Sequence, residues 1–131
     1  MSDRKIILVV EDQADIRKLI RMTLDFGAYE IHEADNGENG WHMVKALRPH
    51  LVLLDVMMPG SLDGYQVCQK IKQEVALRHV PVVLLTARGQ QSDFETGRQA
   101  GCDAYLTKPF SPLELIDTVD GLLCRADRQV A

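Results

Sequence analysis

The amino-acid sequence predicts an α/β fold, a three-layer sandwich with helices on both faces of a parallel sheet. Aliphatic runs within residues 6–10, 51–54 and 80–86 are continuous rather than alternating, which is typical of strands buried on both faces. Segments with the apolar periodicity of amphipathic helices lie between these runs. Strands that alternate with helices in this way pair in parallel through right-handed crossovers.

The first predicted central strand, residues 6–10, runs directly into Glu11 and Asp12. The apolar stripe of the next helix consists of Ile16, Leu19, Ile20, Thr23 and Leu24. That helix is expected to close near Gly27, and its opposite face is basic. Residues 29–34 alternate between polar and apolar side chains, which predicts an edge strand.

Turn and cap residues mark the next two helices. Asn36 is expected to begin a helix that ends before Pro49. Its inner face would be Gly40, Met43, Val44 and Leu47. After the strand that ends at Asp55, Asp63 and Gln66 predict a capping box. The core face of that third helix would be Val67, Cys68, Ile71 and Val75.

The last third of the chain repeats the alternation. Residues 92–95 read as a capping box, and Gly97 lowers the propensity of the following helix by about 1 kcal/mol relative to Ala, so this helix is expected to be the least rigid. Residues 104–107 form a short, mixed strand suited to the other sheet edge. Residues 111–114 combine a cap, a first-turn Pro and a Glu. The apolar set of that last helix is Leu115, Ile116, Val119, Leu122 and Leu123.

Three apolar and two mixed strands sort into the centre and edges of one sheet, which favours the doubly wound, flavodoxin-like order 2-1-3-4-5. The 131 residues fit one domain, residues 1–131, with a core of about 4–124 and a short polar tail at 125–131.

Composition excludes several classes of function. With 46% hydrophobic and 26% charged residues the chain is expected to be soluble, and no stretch suits a bilayer span or a signal peptide, so a cytoplasmic location is expected. The net charge of -4, with scattered basic residues, argues against nucleic-acid binding by this domain. Three cysteines without a C-x-x-C pair are expected to stay reduced, Cys68 and Cys124 as core residues.

Polar residues at the strand ends predict a phosphoryl site. In the 2-1-3-4-5 order, Glu11, Asp12 and Asp55 meet at one edge, where three carboxylates repel one another unless a cation compensates them. Mg²⁺, which prefers oxygen ligands, is the simplest solution, and an ionised Asp55 can then attack phosphorus to form an aspartyl phosphate. Thr86 and Lys108, from the ends of the next two strands, are suited to bind the phosphoryl oxygens.

Each of these residues has an ordinary alternative. Asp12 could be a helix cap, Asp55 the start of a turn before Pro59, Thr86 a strand-end hydroxyl and Lys108 a solvated charge. Their joint placement at successive carboxyl ends of strands favours the site.

The segments that bear these residues resemble the receiver domain of two-component response regulators. The resemblance rests on residues 7–12, 54–60 with Asp63-Gly64, 85–87 and 101–110. It implies that Glu11 and Asp12 are the acidic metal pair and that Asp55 is the phosphoacceptor. The Met57 backbone carbonyl would be a further Mg²⁺ ligand.

The same resemblance implies a switch. Thr86 would be the switch hydroxyl, Tyr105 the switch aromatic and Lys108 the phosphoryl-binding lysine, with a cis Lys108-Pro109 bond. Phosphate on Asp55 would draw Thr86 inward, Tyr105 would follow, and the surface formed by the fourth helix, fifth strand and fifth helix would change.

The resemblance implies a signalling switch rather than an enzyme. The donor would be a sensor histidine kinase or a histidine phosphotransfer protein, and the target another protein, with the chain a monomer or a phosphorylation-dependent dimer. A stand-alone domain is expected, and a receiver excised from a longer response regulator or hybrid kinase is the close variant. The rivals are a metal-dependent Asp-nucleophile phosphatase, which commonly has a second Asp where this chain has Met57, and an unphosphorylated scaffold.

Met57 and Arg88 also predict a long-lived phosphorylated state, since Met57 cannot orient a water and Arg88 can shield the phosphoryl group.

Overall fold

The computed structural model describes residues 4–25, 29–87 and 91–130 as five strands alternating with five helices. The strands are β1 (Lys5–Val10), β2 (Tyr29–Ala34), β3 (Leu51–Asp55), β4 (Val82–Thr86) and β5 (Ala104–Thr107). The helices are α1 (Ala14–Thr23), α2 (Gly37–Leu47), α3 (Gly64–Gln73), α4 (Gln91–Ala100) and α5 (Pro112–Val130). All four strand pairings are parallel and follow the order β2-β1-β3-β4-β5, which confirms the predicted topology.

The central strands are buried on both faces, as their continuous aliphatic sequences predict. Every residue of β3 and β4 is buried, whereas most residues of β2 and β5 are at least partly exposed, so the predicted division into centre and edges is confirmed. Alternate residues enter separate cores on the two sides of the sheet, with Leu8 and Leu54 in one and Ile7 and Leu53 in the other. The sheet is therefore held in place by helices on both faces.

Local caps begin the helices where the sequence indicates. The Asn36 side chain accepts a hydrogen bond from the Asn39 N–H, which confirms it as the N-cap of α2. Asp63 and Gln66 form the predicted capping box at α3. At α5, Ser111 and Glu114 hydrogen-bond to each other's backbone N–H in the same pattern. These caps satisfy backbone donors that the first helical turn leaves without partners.

Three predicted core positions are wrong. Leu19 is 47% exposed, because α1 buries a narrower stripe than its apolar period allows. Val75 is 75% exposed, since α3 ends at Gln73 and the chain has left the helix before this residue. Cys124 is exposed on α5 and only Cys68 is buried, although all three cysteines are free as expected.

Two helix ends also differ from the expectation. α1 ends at Thr23, and Gly27, its predicted stop, lies outside the described residues. α5 continues to Val130, so residues 125–130 extend the helix that was expected to give way to a tail. α4 begins at Gln91, but the side chains at 92–94 that would form its capping box are outside the described set. Within the described ranges, no helix combines the length and apolarity that a bilayer crossing needs.

Candidate functional site

The three carboxylates predicted to converge do so at the carboxyl ends of β1 and β3. Val10 pairs with Leu54 in the sheet, so the residues that follow them, Glu11 and Asp55, lie side by side. Ligand oxygens of Glu11, Asp12 and Asp55 all lie within 4.8 Å of one another. Glu11 is fully buried and Asp55 is 3% exposed, whereas Asp12 is open to solvent. The cluster is therefore a pair of buried carboxylates with one exposed carboxylate at its mouth, an arrangement that could hold a metal ion.

Lys108 supplies the positive charge within this cluster. Its Nζ lies 2.6 Å from Glu11 Oε1 and 3.4 Å from Asp55 Oδ1. The Lys108 backbone N–H donates to the Thr86 carbonyl at 2.7 Å, and the Lys108-Pro109 peptide bond is cis as expected. The lysine thus reaches the site from the end of β5 and compensates the two carboxylates that the sheet buries.

Burial changes the acidity of Asp55. Loss of hydration at this buried position, a hydrogen bond shared with Glu11 and the Glu11 charge together raise the pKa of Asp55 from 3.8 to about 7. The Lys108 charge and the Met57 N–H, which lies 3.2 Å from Asp55 Oδ1, act in the opposite direction. One positive charge is thus insufficient to keep this carboxylate as acidic as an exposed one. A second cation at the cluster would favour the ionised form.

A cavity of about 410 Å³ opens above Asp55. Its lining includes Asp12, Asp55, Met57, Thr86 and Lys108, so the structure brings together five of the residues singled out in the sequence. Thr86 ends β4 and is 3% exposed. Space for a phosphoryl-sized group therefore exists next to both the hydroxyl and the ammonium that were predicted to bind it.

Tyr65 lines the same cavity, and sequence reasoning missed it. It is the second residue of α3, between Asp63 and Gln66 of the capping box, and this position on the first helical turn is the signal that could have found it. The side chain of Met57 is 72% exposed, whereas Arg88 lies outside the described residues. The long phosphoryl lifetime expected from that pair stays a prediction.

Tyr105 lies away from the cavity, half-buried against α4. A Cβ atom built on Gly97 would be 2.4 Å from Tyr105 Cε1, so the ring occupies the space that a glycine leaves. Burial, a hydrogen bond with the Cys102 thiol and the charge of that group raise the pKa of Tyr105 to about 12. Gly97 thus provides room for the aromatic ring, a packing role that propensity alone did not indicate.

Comparison with known proteins decides the family. Residues 7–120 match the family model of the response regulator receiver domain. The chain belongs to this family. Receiver domains are the phosphoryl-accepting parts of two-component signalling systems, so the chain has that signalling role.

Individual relatives support the assignment. The chain is 44% identical over 124 residues to the transcriptional regulatory protein ResD of Bacillus subtilis, covering 93% of this chain and 49% of that protein. The chain spans about half the length of the curated relatives it matches. A signal receiver domain of a signal transduction histidine kinase from Syntrophus aciditrophicus superposes with a TM-score of 0.84 at 32% identity, covering 92% and 90% of the two chains. The Mn²⁺-bound form of response regulator Rcp1 superposes with a TM-score of 0.75 at 28% identity, covering 90% and 91%.

Proposed function

We propose that Asp55 accepts a phosphoryl group from a phosphohistidine on a sensor histidine kinase or a histidine phosphotransfer protein. The observation that supports this most strongly is a nearly buried carboxylate at the floor of a cavity whose wall includes a hydroxyl and an ammonium group, Thr86 and Lys108. A carboxylate oxygen of Asp55 forms the new O–P bond while the P–N bond of the donor breaks and its electron pair leaves with the imidazole. Lys108 and Thr86 donate hydrogen bonds to the phosphoryl oxygens as charge develops.

The acidic cluster fits Mg²⁺, and we propose that ion as the cofactor. Glu11, Asp12 and Asp55 offer hard oxygen ligands within 4.8 Å of one another, and the Met57 backbone carbonyl would add a fourth. The raised pKa of Asp55 indicates a site short of positive charge, which is a property of this chain's own residues. When bound, Mg²⁺ would neutralise the negative charge of the carboxylates and keep Asp55 ionised and available as the nucleophile. The Mn²⁺-bound form of Rcp1 is a relative in which a divalent ion is present.

The output of the switch is proposed to be a change of protein partner. Thr86 moves toward the phosphorylated Asp55, Tyr105 leaves its position on Gly97, and the surface of α4, β5 and α5 changes with it. In this structure the Tyr105 ring packs against Gly97, so its movement would leave the space that this glycine provides. A two-state element of this kind is what a population shift requires.

A switch is favoured over an Asp-nucleophile phosphatase because Met57, two residues after Asp55, cannot act as a general acid or base. Residues 1–131 are proposed to form a single receiver domain of a cytoplasmic protein. We propose that this domain binds neither nucleic acid nor membrane, and that the protein is a monomer or a phosphorylation-dependent dimer. The intact mass of the gene product decides whether it stands alone or belongs to a longer response regulator or hybrid kinase.

The test is intact mass spectrometry after incubation with acetyl phosphate, with and without Mg²⁺. The native chain is expected to gain a labile, Mg²⁺-dependent phosphoryl adduct, and Asp55→Asn to gain none. Asp103→Asn is the matched control, because Asp103 is a carboxylate engaged with Lys72 away from the cavity. An adduct that persists in Asp55→Asn, or release of phosphate from a small phosphomonoester at many turnovers, would contradict the proposal.

A further inference from the structure

Glu38, in the first turn of α2, holds the tip of the loop that joins β3 to α3. Its Oε1 accepts hydrogen bonds from the Ser61 N–H at 2.7 Å, the Leu62 N–H at 3.1 Å and the Ser61 hydroxyl. One carboxylate oxygen therefore binds three donors from two successive loop residues. This loop, residues 56–63, begins directly after Asp55 and includes Met57.

Two glycines let the helix and the loop approach this closely. Gly60 has φ of +105°, and a Cβ atom there would be 3.1 Å from both Glu38 carboxylate oxygens. A Cβ atom on Gly37 would be 2.2 Å from the Leu62 carbonyl oxygen. A side chain at Gly37 is thus excluded by backbone, and one at Gly60 is disfavoured by its φ. The contact between α2 and the loop is consequently built into the backbone as well as into one side chain.

Other anchors of the loop lie at its two ends and at Met58, whose side chain is buried in the core. The Val56 N–H donates to the Leu85 carbonyl at 3.0 Å, and the Gly64 N–H donates to the Val56 carbonyl at 3.2 Å. A Cβ atom on Gly64 would be 2.2 Å from the Asp55 carbonyl oxygen, so the end of the loop is pressed against its beginning. With its ends joined and Met58 buried, the exposed tip at residues 60–61 is the part of the loop left to be held, and the tip is where Glu38 binds.

We propose that Glu38 is a positioning residue for the Mg²⁺ site, because it holds the loop that carries Met57, whose N–H lies 3.2 Å from Asp55 Oδ1 and whose backbone carbonyl is the proposed fourth ligand. The inference rests on the proposed function, since it concerns the same cofactor. Glu38 itself bonds to the loop tip rather than to the cluster, so its effect passes through the loop backbone.

The charge state of Glu38 suits this role. The hydrogen bond from the Ser61 hydroxyl, together with backbone N–H groups, holds the pKa of Glu38 below its usual range, so the side chain is ionised at neutral pH. An ionised carboxylate accepts stronger hydrogen bonds than a neutral amide oxygen does. A Gln at this position should therefore hold the loop less firmly than Glu, and an Ala should release it.

Release of the loop would weaken Mg²⁺ binding without altering the chemistry at Asp55. The Met57 carbonyl would have to be ordered at the moment of binding, and that entropic cost lowers affinity. Removal of groups that orient metal ligands commonly costs about tenfold or more in affinity. Because Glu38 acts through a solvent-exposed loop, Glu38→Ala is expected to raise the Kd for Mg²⁺ about three- to tenfold, with Glu38→Gln in between.

The experiment is calorimetric titration of the full chain with MgCl₂, for the native protein, Glu38→Ala, Glu38→Gln and Glu30→Ala. Glu30 is the matched control, because its loss changes the net charge equally but it lies on β2 opposite Ile6, toward the other end of the strands, where it pairs with His32. The rate of acetyl-phosphate labelling is then measured against Mg²⁺ concentration. Hydrogen exchange of residues 61–62 reports the loop directly.

Glu38→Ala is expected to bind Mg²⁺ more weakly, to exchange its Ser61 and Leu62 amides faster, and to regain the native labelling rate at saturating Mg²⁺. Native Mg²⁺ affinity in Glu38→Ala, or an equal loss in Glu30→Ala, would overturn the inference. If Glu38→Ala does not fold, Glu38→Gln and Ser61→Ala are titrated with MgCl₂ in its place. Native Mg²⁺ affinity in both of these variants would overturn the inference. Absence of labelling in a native chain that binds Mg²⁺ would refute the proposed function but not the role of Glu38. That role would still be tested by the calorimetric Mg²⁺ affinities.

Discussion

Asp55→Asn should stabilise the protein at neutral and alkaline pH when no divalent cation is present. The substitution keeps the shape of the side chain and removes a charge that the fold buries. Because the pKa of Asp55 rises from 3.8 to about 7 on folding, chiefly through burial, the folded chain binds this proton more tightly than the unfolded chain does. The free energy of unfolding therefore contains a term that is fully present below about pH 4 and is lost as the pH rises through about 7.

The size of this term follows from the pKa shift. A shift of about three units at about 1.4 kcal/mol each corresponds to an upper bound of about 4 kcal/mol. Part of that loss occurs below pH 5, and water in the open cavity screens the charges. We therefore expect the native chain to lose about 2 kcal/mol relative to Asp55→Asn between pH 5 and pH 8.

The assay is urea unfolding of both proteins at several pH values in the presence of EDTA. All other ionisable groups are common to both proteins, so the difference between the two curves reports chiefly on Asp55. Addition of Mg²⁺ should raise the stability of the native chain at pH 8 more than that of Asp55→Asn, because the variant lacks one ligand of the proposed site. A difference that is absent at pH 8, or that grows on acidification, would refute the reasoning that the fold buries an under-compensated carboxylate.

Two further predictions concern packing and capping. Gly97→Ala should lower the free energy of unfolding by about 1 to 3 kcal/mol, because a Cβ atom would meet the Tyr105 ring at 2.4 Å, whereas Gly121→Ala, with nothing within 4 Å, should be neutral or stabilising in the same urea titration. An equal effect of both substitutions would indicate helix propensity rather than the ring contact. Asp63→Ala should cost about 1 kcal/mol by thermal or urea unfolding, since it removes both the N-cap and the capping box with Gln66, and unchanged stability would show that this cap is redundant.

The sequence predicted most of the fold because the relevant signals are local. Continuous aliphatic runs mark β1, β3 and β4 as buried, and the caps at Asn36 and Asp63 mark where helices begin. Val75 is exposed because α3 ends at Gln73, and the other two wrong core positions share a different cause. Periodicity shows which residues share a helix face, but it does not show how wide a stripe the neighbouring elements cover, and so Leu19 and Cys124 are exposed where burial was expected.

The sequence was sufficient to predict which residues belong to the candidate site. Parallel topology brings the ends of neighbouring strands together, so the convergence of Glu11 and Asp55 followed from strand order alone. Lys108 lies closer to Glu11 than to Asp55, although Lys108 and Glu11 are 97 positions apart in the chain. The sequence could not indicate which of the two carboxylates the lysine would bind more closely. Nor could it indicate Glu38, whose loop partner Ser61 is 23 positions away and belongs to no strand-end motif.

The sequence by itself determined the order of strands and helices, the residues at the strand ends and the family to which the chain belongs, because each depends on neighbouring residues or on motifs of a few positions. Tertiary structure alone decided the pKa of Asp55, the partner of Lys108, the place of Tyr105 on Gly97 and the attachment of the loop to Glu38. Each of these depends on how deeply a group is buried and on which distant segment packs against it. Those quantities arise only when the sheet and its helices assemble.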